Sequence, residues 1–285
     1  MLQGISPQMK LPKNILVAVA ANMLMAYPAI AEQVPQWELG AGLAYIDLPQ
    51  YRGSNQRQVY FLPIPYAVYN GDFLKVDHER TRGLFFQTDA AELDVSVNGS
   101  VPVRDNLARQ GMPNLDPAFE IGPALNIFLH KRESGNVQLE LRLPLRFAVA
   151  TDFSYLHDIG LMFQPQLNLD VHDVLGQSGW DLGMAAGAIY SDRRYNQYFY
   201  SVAPGFARPD RPAYTAGGGY SGSQLTVSLA RRFPGYWFGG FVKWDMLRGA
   251  VFEQSPLVKQ NDSATVGFAI SWILAESPNR VEEGK

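Results

Sequence analysis

The residues able to carry chemistry are few and scattered. His78, His130, His157 and His172 lie far apart in the sequence, and none belongs to an HExxH or comparable metal-ligating word. Ser154 stands three residues before His157, between Asp152 and Asp158, and this is the one grouping that could offer a nucleophile beside a base. No GxSxG elbow accompanies it, and an acid-flanked turn explains the same residues. Gly217–Gly222 reads GGGYSG but lacks the lysine and following helix of a phosphate loop, so its glycines read as a bend or a close strand approach. The absence of cysteine removes thiolate nucleophiles, disulfides and cysteine-held metals together. The sequence therefore predicts a protein that is not an enzyme and holds no cofactor or metal.

Charged and aromatic residues offer more. Glu120, Glu140, Arg142, Arg146 and Asp170 share the polar phase of neighbouring strand candidates. Two readings stand: they set ion selectivity in a watery lumen, or they pair and fill a closed one. Between Asp192 and Pro212, Arg193, Arg194, Arg208 and Arg211 alternate with Tyr195, Tyr198, Phe199 and Tyr200. Arginine and aromatic side chains anchor glycan or protein partners, yet the same segment can fold over a barrel mouth and bury its rings. Asn98 to Asp116, with Arg104, Arg109 and Met112, is too polar and too rich in turn formers to face lipid, where its backbone would go unsatisfied. It is expected to be a plug or a periplasmic loop, and a candidate contact for a partner.

The elements that must position these residues are strands. From Val137 to Val149 the odd positions are Val, Leu, Leu, Leu, Leu, Phe and Val, whereas the even ones include Gln138, Glu140, Arg142 and Arg146. The next segment repeats the alternation from Ile159 through Leu161, Phe163, Leu167 and Leu169 to Val171. Strands of soluble proteins run roughly five or six residues, whereas alternation over about 13 is enough to cross a hydrocarbon core at a tilt. Strands are expected near 37–46, 57–69, 73–88, 91–100, 117–131, 136–150, 158–173, 179–191, 212–221, 223–232, 236–248 and 263–275. The predicted fold is all-β: an antiparallel transmembrane β-barrel of about 12 strands, with 10 the alternative count, since single-chain bacterial barrels use even numbers. Trp37, Tyr45, Tyr69, Trp180, Tyr190, Tyr236 and Trp237, near strand ends, fit interfacial aromatic girdles or ordinary packing at sheet margins.

Lys10 and Lys13 precede an apolar run from Ile15 to Ala26, followed by Ala29-Ile30-Ala31. That run is too short for a spanning helix, which needs roughly 20 residues, and the pattern is that of a secretory signal peptide cleaved after Ala31. The expected organisation is a signal peptide over 1–31 and one barrel domain over 32–285, ending in a short tail at 278–285. A formal charge of −3 gives no general attraction to nucleic acid.

Several irregular stretches carry specific words: Tyr51-Arg52-Gly53-Ser54, the run from Asn98 to Leu125, RPAYTAGGGYSGSQ from Arg211, GAVFEQSPLV from Gly249 and VGFAISWILAES from Val266. Together, and in order over essentially the whole mature chain, these resemble the MipA/OmpV family. The resemblance implies a bacterial outer-membrane barrel, surrounded by outer-membrane lipid and exported through the periplasm. It also implies interaction with a membrane-bound murein lytic transglycosylase and a scaffold role toward a peptidoglycan synthase. Other members are described as porin-like or adhesive, so the fold carries over better than the function. The chain departs from general barrel habit in adding Pro278 to Lys285 after its last strand.

Overall fold

The computed structural model describes residues 33–282 except 71–73, 77–80, 84–85, 132–135, 153 and 177–178. The signal segment expected over 1–31 and His78 lie outside the described residues. The chain divides into a large unit, residues 35–281, and a small one made of 1–34 and 282–285. Short strands β1 (Gln33–Pro35) and β16 (Arg280–Glu282) stand at the chain ends. Between them run β2 (Trp37–Pro49), β3 (Arg57–Asn70), β4 (Leu74–Val76), β5 (Thr81–Gly83), β6 (Phe86–Gln87), β7 (Ala91–Ser100) and β8 (Ala118–His130). Then come β9 (Val137–Thr151), β10 (Leu156–Phe163), β11 (Gln166–Val171), β12 (Trp180–Ser191), helix α1 (Arg193–Tyr200), β13 (Gly219–Phe233), β14 (Tyr236–Met246) and β15 (Asp262–Glu276).

One 14-stranded sheet holds all of these strands except β1 and β16, and every register is antiparallel. Its path runs β5-β4-β3-β2-β15-β14-β13-β12-β10-β9-β8-β7-β6, with β11 between β9 and β12. The last strand, β15, pairs with β2 over most of its length, and the path ends on β5 and β6, which are neighbours in the chain. The sheet thus returns to its own beginning and leaves no long open edge. Counting β5 with β6 and β10 with β11 as successive pieces of one pass turns the 14 segments into 12.

Two expected strands come out differently. The described residues of 73–88 form the short strands β4, β5 and β6, with β4 paired to β5, and 212–221 is largely loop, leaving Gly219–Phe233 as one long strand. One expected strand is thus split and two are merged, and the bulge at Ser221-Gly222 in β13 interrupts the period-two alternation, so the two differences cancel in the count. Trp237, expected among girdle candidates, shares the phase of buried Gly239 and Asp245 and turns inward.

The wall is apolar outside and polar inside. On β8, Phe119 and Ile121 are about half exposed, whereas Glu120 and Asn126, in the opposite phase, are 2% and 1% exposed. β9 repeats this with Leu145 and Phe147 outward and Glu140, Arg142 and Arg146 buried. Phe61, at 77% exposed, stands beside Tyr45, which in turn stacks on Phe268. A continuous outward belt of this kind would be a liability in water and is what a hydrocarbon surround requires. The fold is an antiparallel transmembrane β-barrel.

Loops alternate between the two ends. Short turns, such as Pro234-Gly235, lie at the end where β2 begins and β15 finishes. Residues 50–56, 101–117, 192–218 and 247–261 gather at the other end, called here the mouth. The tail after β15 is tied back at the turn end: Ser277 N–H donates to Trp37 O at 2.8 Å, and Gln36 N–H to Asn279 O at 3.0 Å.

Candidate functional site

The mouth is filled by a small apolar core of its own. Helix α1 starts where the Asp192 carboxylate caps the Tyr195 N–H at 2.8 Å. Its inner face, Tyr195, Asn196, Phe199 and Tyr200, is buried. The Tyr200 ring stacks on Phe252 at 3.6 Å between centroids, and Val103 and Leu115 join the same cluster from the 101–117 loop. Two wall residues feed it. A register shift between Asp158 and Gly160 turns Ile159 inward, whereas Ile189 lies on the regular inward phase of β12 with buried Gly183 and Ser191. Ile159 therefore belongs to the core of the mouth, not to the lipid-facing stripe that its period suggests. Gly160 makes this possible: its φ is +121°, and a Cβ there would lie 2.1 Å from Asp192 Oδ1.

Tyrosine hydroxyls fasten this plug. Tyr51 donates to Leu257 O at 2.8 Å and Tyr200 to Arg52 O at 3.0 Å, while Tyr198 accepts from Asp116 N–H at 2.9 Å. Burial pushes the Tyr51 and Tyr198 hydroxyls up to about 12, and Tyr200 and Tyr195 higher still. All four thus stay protonated and able to donate at any physiological pH. Tyr195 donates to Glu120 Oε1 at 2.8 Å, which ties α1 to the inner wall.

Beneath the plug a hydrogen-bonded chain runs around the inside of the barrel. Arg146 meets Glu120 at 3.0 Å, Ser96 at 3.1 Å and Gln164 at 2.6 Å. Gln164 donates to Gln224 at 3.1 Å, Gln224 to Asp245 at 3.0 Å, and Asp245 pairs with Arg52 at 2.7 Å. One rung away, Arg142 pairs with Asp94 at 2.9 Å and Asn126 braces both; Asn168 donates to Glu140 at 2.9 Å. Asp170 is half-buried on the same inward phase. Opposite charges at these distances neutralise one another, and the amides satisfy the remaining lone pairs.

The expected site residues divide among these regions. Glu120, Glu140, Arg142 and Arg146 come together on the inner wall; Asn98 reaches Glu120 at 3.2 Å. Arg109 is buried under α1 and donates to Phe199 O at 2.9 Å, and burial holds its guanidinium below its ordinary value. Met112 and Asp116 are half-buried, whereas Arg104 and Arg193 are exposed. The 101–117 loop lies at the mouth with α1, at the end opposite the start of β2, so a periplasmic placement would require both strand termini to face outward. Ser154 donates to Asp152 Oδ1 at 2.7 Å within a local turn, and this bond, the first cause, lowers the Asp152 carboxyl. No cluster of metal-binding side chains occurs among the described residues. Asp94, Gln224 and Asp245 complete the inner network without having been singled out by sequence, as does Arg52, read there only as part of a family word, whereas Gln164 falls on the polar phase of its strand. Asp94 was detectable, since Glu92, Asp94 and Ser96 alternate with Leu93, Val95 and Val97; Arg52 sits in a loop with no period to reveal it.

Among solved structures, the chain is similar to an outer membrane channel from Pseudomonas putida F1, with 10% identity, a TM-score of 0.44 and coverage of 87% of this chain and 100% of that one. It is similar also to the NanC porin, with 8% identity, a TM-score of 0.39 and coverage of 83% and 100%. A third likeness is to the toluene transporter TbuX of Ralstonia pickettii, with 10% identity, a TM-score of 0.27 and coverage of 83% and 73%. At those scores none of the three bears on function. No curated protein sequence matches. The family model described as MltA-interacting protein MipA matches residues 39–274, nearly the whole barrel from the third residue of β2 to two residues short of the end of β15, and the chain belongs to that family.

Proposed function

We propose that the protein is an outer-membrane barrel that anchors a murein lytic transglycosylase, together with its partner peptidoglycan synthase, and contributes no catalysis itself. The observation that carries this reading is the plug: the mouth is packed with Tyr200, Phe252 and Val103, and the wall below it has its charges matched. A barrel closed in this way is suited to holding a partner. The name of the family, which refers to interaction with MltA, supports the same choice. Even strand number and short turns orient such barrels with strand termini and turns in the periplasm. On that rule the docking face is the turn end, including Pro234-Gly235, and not the 101–117 loop.

Co-purification tests this. The transglycosylase is expected to accompany the full-length protein from solubilised envelopes, and to be lost when the turn residues 234–235 and 173–176 are replaced. Unchanged envelope localisation of the enzyme after deletion of the barrel would count heavily against the proposal. A second reading, a narrow porin-like channel, is favoured by the polar inner wall around Arg52, Arg142 and Arg146. Planar-bilayer recording decides it: steady conductance altered by Arg142→Gln would establish a channel, and silence would retire it. The adhesive role described for other members is compatible with the exposed mouth loops but has no observation of its own here.

A further inference from the structure

Four arginines near the mouth pair with an acid: Arg52 with Asp245, Arg57 with Asp47, Arg194 with Asp158 and Arg248 with Asp262. One cleft gathers cations that have no such pairing. It has a volume of about 230 Å³ and is lined by Arg208, Arg211, Lys259, Gln56 and Leu107, with Asp210 the one acid. Among the described residues none of its three cations forms a close ion pair, though Asp210 attracts Arg211 more weakly than burial and Arg208 oppose it. Arg211 is 4% exposed, and its donors are spent on Phe206 O, Ala108 O and Gln110 O. Arg208 also donates to Gln110 O. Carbonyls fix these guanidinium groups in place without neutralising them. Burial, and then repulsion from Arg208, hold Arg211 below its ordinary pKa, which an incoming anion would relieve.

The rest of the lining is not that of a bare ion site. Leu107 is 73% exposed, an unusual placement for leucine on a charged rim, and Gln56 beside it accepts the Leu107 N–H at 2.5 Å. An apolar patch suits the C–H face of a sugar ring, and amides suit its hydroxyls. The volume falls below the roughly 300 Å³ at which drug-sized pockets begin, so one ring fits and an oligomer does not.

We propose that this cleft binds a single acidic saccharide unit, its carboxylate or phosphate held by Arg208 and Lys259, with the buried Arg211 guanidinium adding fixed positive charge beneath. The unit has two possible sources, a free sugar acid or sugar phosphate, and the phosphorylated sugars of lipopolysaccharide. The site lies at the mouth, away from the proposed docking face, so either proposal can fail alone.

Calorimetric titration of the full-length protein in detergent tests it, with glucuronate, glucose 6-phosphate, glucose and lipopolysaccharide in mixed micelles as probes. Both charged sugars are expected to bind at least roughly tenfold tighter than glucose, as charge-assisted contacts require. Raising salt to about 1 M, where the screening length is about 3 Å, should erase the difference. Lys259→Glu is the variant of choice, because the exposed Lys259 side chain forms no hydrogen bond or ion pair among the described residues; it should weaken both charged sugars by about tenfold or more without moving the melting temperature. Lysine-dependent binding of lipopolysaccharide alone would support the site with lipid as its source. The proposal is overturned if glucose binds as well as glucuronate, if a normally folded Lys259→Glu binds like the parent, or if none of the anionic probes binds.

Discussion

The wall and the mouth of this molecule bury opposite things. The wall encloses Glu120, Arg146 and Asp94 and shows Phe119 and Leu145 to its surroundings. The mouth encloses Phe252, Leu257 and Tyr200 and leaves Arg104, Arg193 and Arg208 outside. One chain follows both rules because its two parts meet different solvents. Lipid takes the apolar side chains of the wall at no cost, so its inside is left to polar groups that must satisfy one another. The mouth projects into water and returns to the order of a soluble protein. The seam between them is narrow: Tyr195 to Glu120, Tyr200 to Arg52, and Arg52 to Asp245.

Because the two regions bury opposite things, equal substitutions in them have unequal effects. The largest is expected at Arg146→Met, which strands buried Glu120 and should cost about 3–5 kcal/mol, whereas adding Glu120→Gln should recover much of the loss. Urea unfolding in lipid vesicles measures both, and equal stability of single and double variants would break the ionic-wall account. Ile159→Ala removes a core contact at the mouth and should cost about 2–5 kcal/mol, while Leu161→Ala, two residues on and facing lipid, should cost far less. Leu145→Arg places a charge in the belt and should cost about 2–4 kcal/mol near the midplane. The same urea series on Arg104→Leu at the mouth should register within about 0.5 kcal/mol. Tyr200→Phe keeps the stack on Phe252 but loses the bond to Arg52 O, for about 1 kcal/mol.

A smaller effect concerns pH. Tyr51 and Tyr198 keep their protons in the folded mouth up to about 12, against an ordinary value of 10.0. The folded state binds these protons more tightly than the unfolded one, so their contribution is complete below pH 10 and is lost as pH rises from 10 toward 12. Tyrosinate absorbance should show a late step accompanied by loosening of the mouth. A single titration of all 14 tyrosines near pH 10 would contradict the packed plug.

How legible each region was follows from the same contrast. The wall could be read because a strand between lipid and lumen must alternate, and Val137–Val149 does so without interruption. Its phase also placed Glu140, Arg142 and Arg146 together. The mouth could not be read this way, since α1 and the loops around it have no strand period, and composition left Tyr195 and Tyr200 open to either partner binding or burial. Ile159 shows the limit most clearly. A bulge built on one glycine at positive φ reverses the face of a residue, and period alone does not reveal it.

The inside-out wall can be tested at two positions three residues apart on β9. The chain has no cysteine, so Leu145→Cys and Ala148→Cys can each carry a single spin label without background. In bilayers, collision with oxygen reports lipid and collision with a water-soluble nickel complex reports water. The label at 145 should be readily reached by oxygen and shielded from nickel, and the label at 148 should be poorly reached by oxygen. Ready access of nickel to position 145 would contradict the account.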